Sequence, residues 1–117
     1  MTTYVEKRRH ERVPVDISVY WGRTYDCPER GRVLSLSAGG CFLRTEKVVP
    51  VGGEVFVNLW LPDGRPLAGE ARYRIEGYGV GVEFKAVGPL TAGQLAGLVE
   101  FYSQAAGVTG AQTPPGS

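Results

Sequence analysis

The chain has one histidine, one methionine and two cysteines among its 117 residues. The single histidine, His10, stands among arginines ahead of the first patterned segment, so an oriented nucleophile–base pair has no second imidazole to draw on. Enzymatic activity is not expected. Cys27 and Cys41 are too few for a disulfide framework and have no neighbours at metal-ligand spacing, so both read as reduced thiols and no metal is expected. Long apolar runs are also missing: nothing approaches the roughly 18 residues of a membrane helix, and membrane insertion is not expected. The opening MTTYVEKRRH has no apolar stretch after its charges and does not read as a secretory signal, which makes the cytoplasm the expected location. A surplus of either charge is absent too. Thirteen basic against twelve acidic residues give a net charge of +1, which disfavours binding long DNA or RNA through bulk charge.

What is present is ordinary globular material for one domain, 43% apolar and 21% charged, with two biases. Glycine reaches 17 residues, pointing to many tight turns and short strands. Arginine supplies ten of the thirteen basic residues, and guanidinium offers the planar, two-pronged bonding and stacking that ammonium lacks.

Val13, Val15, Ile17, Val19 and Trp21 alternate with Pro14, Asp16, Ser18 and Tyr20, the period of a half-buried strand. Further strands are predicted at 29–37, 41–44, 54–61, 67–76 and 80–84, separated by turns such as Pro62-Asp63-Gly64 and Gly77-Tyr78-Gly79. Six short strands at this spacing predict an all-β fold, a small antiparallel barrel or sandwich, and closing the sheet hides its edges. The period then changes. Leu95, Leu98, Val99 and Tyr102 form one apolar helical stripe, and Thr91 with Gln94 reads as a capping box. The predicted division is an arginine-rich arm over 1–12, a barrel with its C-terminal helix over 13–104, and a disordered tail over 105–117.

Two segments carry candidate chemistry. Lys7-Arg8-Arg9-His10-Glu11-Arg12 concentrates guanidinium groups directly before the first strand, where they can fork onto phosphate or onto the O6 and N7 of guanine. Ser35-Leu36-Ser37-Ala38-Gly39-Gly40 places two hydroxyls on one face of a strand end beside a glycine turn that lets a flat ligand approach the backbone. The glycine run at 77–81 lacks the strand-then-helix setting of a dinucleotide fingerprint and reads as turn and packing glycines.

Together the two segments resemble the PilZ family, whose signature is Arg-x-x-x-Arg before the first strand followed by Asp/Asn-x-Ser-x-x-Gly. Arg8 to Arg12 is a full match; Ser37 and Gly40 match the second motif, and Ser35 stands where the family has Asp or Asn. Leu59 to Gly64 and Tyr78 to Phe84 resemble the family's later strands, so the likeness spans about residues 6–104. It implies a six-stranded antiparallel β-barrel with a C-terminal helix that binds cyclic di-GMP and relays the signal to an effector protein in control of motility, pili or polysaccharide synthesis. By position, Arg8 and Arg12 would contact phosphate and the guanine Hoogsteen edge, Arg9 would add a stacking or phosphate contact, and Ser35, Ser37 and Gly40 would border the guanine.

Ser35 weakens that expectation in a definite way. A carboxylate or amide accepts from both N1–H and N2–H of guanine, whereas a hydroxyl is too short, and losing a two-point contact costs about 1–3 kcal/mol. A water or Arg32 could soften the loss. The alternative is a degenerate adaptor that contacts protein without nucleotide. A third reading, single-stranded nucleic acid stacked on Tyr73, Tyr78 or Trp60, has neutral net charge against it. A homodimer through Trp60 or Tyr102 is compatible with the exposed strand faces, but no spacing requires it.

Overall fold

The computed structural model describes residues 12–112, with side chains through Ala105. Arg8, Arg9 and His10 of the arm, and residues 113–117 of the expected tail, lie outside the described residues. Six strands follow one another, β1 (Val13–Gly22), β2 (Glu29–Ser37), β3 (Gly40–Arg44), β4 (Glu54–Asn58), β5 (Leu67–Ile75) and β6 (Gly79–Phe84), and then one helix, α1 (Pro89–Gln112). All pairings are antiparallel, and the sheet closes in the order β1-β2-β3-β6-β5-β4. The expected six-stranded barrel with a C-terminal helix is therefore the observed fold.

The alternation in β1 does what its period requires: Val13, Val19 and Trp21 are buried, Val15 and Ile17 are half-buried, and Pro14, Asp16, Ser18 and Tyr20 are exposed. Trp21 lies in the barrel interior with Val33, Leu36, Leu43, Val55, Val57 and Val80, and its indole N–H donates to the Arg30 carbonyl at 3.3 Å. Irregularities in register between Val33 and Ser35 on β2 and between Ala71 and Tyr73 on β5 bend the strands into a closed cylinder. Leu95, 1% exposed, seats the helix against the barrel core, and both cysteines are buried free thiols.

Apart from one-residue shifts at β3, β5 and β6, three features differ from the sequence reading, each for a local reason. The fourth strand stops at Asn58 rather than Leu61, because the Asn58 amide oxygen accepts from Trp60 N–H at 2.9 Å and Trp60 takes φ 61°. A left-handed tryptophan costs about 1–3 kcal/mol and ends the ladder. Thr91 and Gln94 are not a capping box. The helix starts at Pro89, with the Gly88 carbonyl accepting the first helical bond from Ala92 N–H at 2.8 Å, so Gly88 is the cap and Pro89 occupies the first position that suits proline. Thr91 instead donates to the Asp63 carboxylate at 2.7 Å, and the Gln94 side-chain oxygen accepts from Asp63 N–H at 3.2 Å. The Pro62-Asp63-Gly64 turn is thus clamped to the first turns of the helix. Lastly, α1 continues to Gln112, past the tail boundary expected at residue 105; once the helix is docked, each added residue gains a backbone bond without a new nucleation cost.

Candidate functional site

Where β1 begins, β2 ends and β3 starts, the chain builds an open groove of about 570 Å³, lined on one side by Arg12 and the Ser37–Gly40 turn and on the other by Arg72, Tyr73 and Gly81. The turn is a hydroxyl-organised structure. Ser37 is 3% exposed, and its Oγ accepts from the N–H groups of Gly39 and Gly40, each at 3.1 Å. The Gly39 carbonyl accepts from Phe84 N–H at 2.9 Å, tying the turn to β6. Gly40 is required by packing: a Cβ there would overlap the Val82 carbonyl of the paired strand. The two matched residues of the second motif therefore shape the groove wall from within, and Ser37 spends its lone pairs on its own turn.

Ser35 sits one residue outside the buried Leu36 and pairs with Pro14 on β1 and Phe42 on β3. Its hydroxyl accepts from Arg12 Nη1 at 3.4 Å. That contact is long and neutral on one side, so Arg12 is steered toward the groove but held weakly. Arg32 is not free to compensate for the missing carboxylate: its guanidinium forks onto Asp16, with Nε 2.9 Å from Oδ1 and Nη2 on Oδ2. This ion pair pulls the Asp16 pKa below the usual carboxylate range and raises that of Arg32.

The far wall was not legible as a site. Tyr73 lies over Gly81, where a Cβ would run into its ring, and stacks near Phe42 with centroids 6.3 Å apart and an angle of 26°. Phe42 in turn meets Tyr78 at 5.7 Å, and the Arg44 guanidinium lies 4.5 Å from the Tyr78 ring centroid. Arg72 pairs with Glu83 at 2.7 Å on the groove rim. The glycine run at 77–81 has the turn and packing roles expected of it: Gly77 takes φ 71° in the β5–β6 hairpin, while Gly79 and Gly81 admit the rings of Phe42 and Tyr73. Tyr73, expected only as a platform for single-stranded nucleic acid, belongs to this groove; Trp60 does not line it. Among the described residues no cluster of His, Cys, Asp and Glu has metal-holding geometry, and no helix is long and apolar enough to cross a membrane.

A closed six-stranded antiparallel barrel, capped by a C-terminal helix and carrying an Arg–Ser–Gly groove at the mouth of β1, β2 and β3, defines a class of small ligand-binding and adaptor domains. The PilZ domain model matches residues 6–101, and the chain belongs to that family. Among solved structures it is similar to the PilZ domain with cyclic di-GMP of YcgR from Escherichia coli, with 18% identity and a TM-score of 0.65 over 91% of this chain and 98% of that one. It is also similar to MrkH of K. pneumonia in complex with cyclic di-GMP, at 16% identity and TM-score 0.67 over 87% of this chain and 55% of that one. A third similar structure is the inhibitor of motility MotI/DgrA of Bacillus subtilis, at 13% identity and TM-score 0.65, covering 85% of this chain and 52% of that one. This chain thus spans about half the length of the last two. None of the curated proteins matches it by sequence.

Proposed function

We propose that this chain is a cyclic di-GMP receptor of the PilZ family, with no catalytic role, that works in the cytoplasm and relays ligand occupancy to an effector protein. The observation that carries the reading is the convergence of Arg12 and the Ser37–Gly40 turn on one groove of about 570 Å³, with Ser35 outside its lining and joined to it only through its contact with Arg12. Two structures similar to this one contain cyclic di-GMP, and the family match extends through the arm. Arg12 would pair with phosphate or the guanine O6 and N7, with Arg8 and Arg9 completing the clamp. The groove wall formed by Gly39 and Gly40 would meet the base, and Tyr73 offers a ring face at the opposite wall.

Ser35 sets the affinity. Relative to a two-point acceptor, its hydroxyl forfeits about 1–3 kcal/mol, or about ten- to a hundredfold, and Arg32 is committed to Asp16. If an intact site binds near about 1 μM, this one binds at about tens to hundreds of micromolar. Calorimetric titration of the purified chain with cyclic di-GMP tests the proposal: saturable heat is expected, and Arg12→Ala and Arg8→Ala each abolish it. No heat at several times that concentration refutes the receptor reading and favours the adaptor that Ser35 also fits. Control of motility is the output that the similarity to MotI/DgrA supports best.

A further inference from the structure

On the β1–β4 side of the barrel a second surface has no role in the proposed receptor. Tyr20, Tyr25 and Trp60 are exposed there, Trp60 at 56% and Tyr25 at 58%. Tyr20 and Trp60 meet edge to face with centroids 5.6 Å apart, and this pair forms the shared wall of two hollows. One, of about 410 Å³, is lined by Ser18, Val19, Tyr20, Arg30 and Trp60. The other, of about 520 Å³, runs past Tyr25, Pro28, Asn58 and Pro66 to Asp26. None of these residues lines the arginine–serine groove.

The fold holds this tryptophan in place at a cost. Its backbone is left-handed at φ 61°, its N–H donates to Asn58, and its indole N–H donates to the Ser18 carbonyl at 2.9 Å. An exposed ring fixed by two hydrogen bonds on a strained residue is pre-organised for contact. Trp, Tyr and Arg are also the residues that dominate binding surfaces.

Three features narrow the occupant. Strand addition is closed off, because Tyr20 already pairs with Arg30 on β2 and with Asn58 on β4. The three half-exposed rings offer roughly 300 Å², taking 150–250 Å² for a fully buried aromatic side chain, well below the roughly 800 Å² per partner of a stable protein interface. On the rings alone, that area matches a short segment better than a second copy of the chain. Charge supplies the third. Arg30 lies 5.9 Å from the Tyr20 centroid and has no carboxylate partner among the described residues, whereas its neighbour Arg32 is paired with Asp16.

We infer that the Tyr20–Trp60 ridge docks a short extended segment of a partner protein, with prolines packed in the two hollows and an acidic side chain on Arg30. Proline-containing extended chains arrive pre-formed and pack on aromatic walls without needing a free strand edge. Selection of random linear peptides displayed on phage against the whole chain, counter-selected on Trp60→Ala, tests this. Proline-containing sequences with an Asp or Glu at one end are expected. The best synthetic peptide should lose about thirtyfold in affinity on Trp60→Ala, the loss of an aromatic anchor. Arg30→Glu is a surface change that leaves the fold intact; it should weaken the acidic peptide about tenfold, and a Lys-for-Glu peptide should restore binding. Saturating cyclic di-GMP should leave these affinities unchanged, so the outcome is independent of the receptor proposal. Selected sequences lacking proline or acid, binding indifferent to Trp60, a Trp60-dependent dimer in sedimentation, or Trp60-dependent binding on an oligosaccharide array would each overturn the inference.

Discussion

Replacing Ser37 by alanine separates two roles that a motif serine can have. In this chain the hydroxyl is buried and accepts from Gly39 N–H and Gly40 N–H. The variant strands both donors. Gly40 is buried, and an unsatisfied buried N–H costs about 1–3 kcal/mol; Gly39 is half-buried and turns partly to water. The expected loss is about 2 kcal/mol, or about 8 °C in Tm for a domain of this size. Thermal unfolding by circular dichroism, with a urea titration to check that the m value is unchanged, measures it. Cyclic di-GMP affinity should fall as well, because the turn is the groove wall. A serine acting only as a ligand contact would lower affinity and leave Tm within about 1 °C. That result would refute the structural role and show that the Phe84–Gly39 backbone bond holds the turn alone.

Ser35→Asp should tighten cyclic di-GMP binding about ten- to a hundredfold in calorimetry, since a carboxylate both fixes Arg12 and spans the guanine edge; unchanged or weaker binding counts against the assigned pose. Gly40→Ala forces a methyl into the Val82 carbonyl and should destabilise by about 3 kcal/mol in denaturant unfolding. The Asp63 carboxyl is held below the usual carboxylate range, chiefly by the Thr91 hydroxyl and then by Arg65 N–H. Its contribution to clamping the helix is therefore complete above the unfolded value of about 4 and lost as pH falls through the lower folded value. Melts at pH 6 and pH 3 should show a smaller pH dependence in Asp63→Asn. Burial pushes the Cys41 thiol up to about 12, so it should resist thiol reagents in the native state at pH 8 and react once urea unfolds the chain.

How much of this was legible depends on whether a residue's role is local. β1 was readable from Val13 to Trp21 because one face meets the core and the other meets water along its whole length. The end of β4 was not: Leu59, Trp60 and Leu61 have strand composition, and only the Asn58–Trp60 hydrogen bond reveals a turn. Thr91 and Gln94 had the spacing of a cap, yet both serve a turn some thirty residues earlier. The site divided along the same line. Ser37 and Gly40 were found because one four-residue turn contains them both. Arg72 and Tyr73 were missed as groove residues because the register shift after Ala71 sets which residues face the groove.

Closing the sheet explains why such a small chain can present two surfaces. In the barrel every strand has two neighbours, so backbone groups are spent within the sheet and recognition falls to side chains on its outside and to its turns. At the β2–β3 turn Gly39 and Gly40 put no side chain between their backbone and the groove, and Arg12 lines the same groove from the start of β1; that chemistry suits a flat, anionic ligand. Along the β1–β4 seam the outward side chains are aromatic rings beside Arg30, which has no carboxylate partner among the described residues, and that suits a chain segment. Both surfaces draw on β1, Arg12 immediately before it and Ser18 and Tyr20 within it. Two strands therefore link them directly: β1, whose register irregularity between Pro14 and Ile17 lies between the two surfaces, and β2, which carries Arg30 near one end and Ser37 at the other.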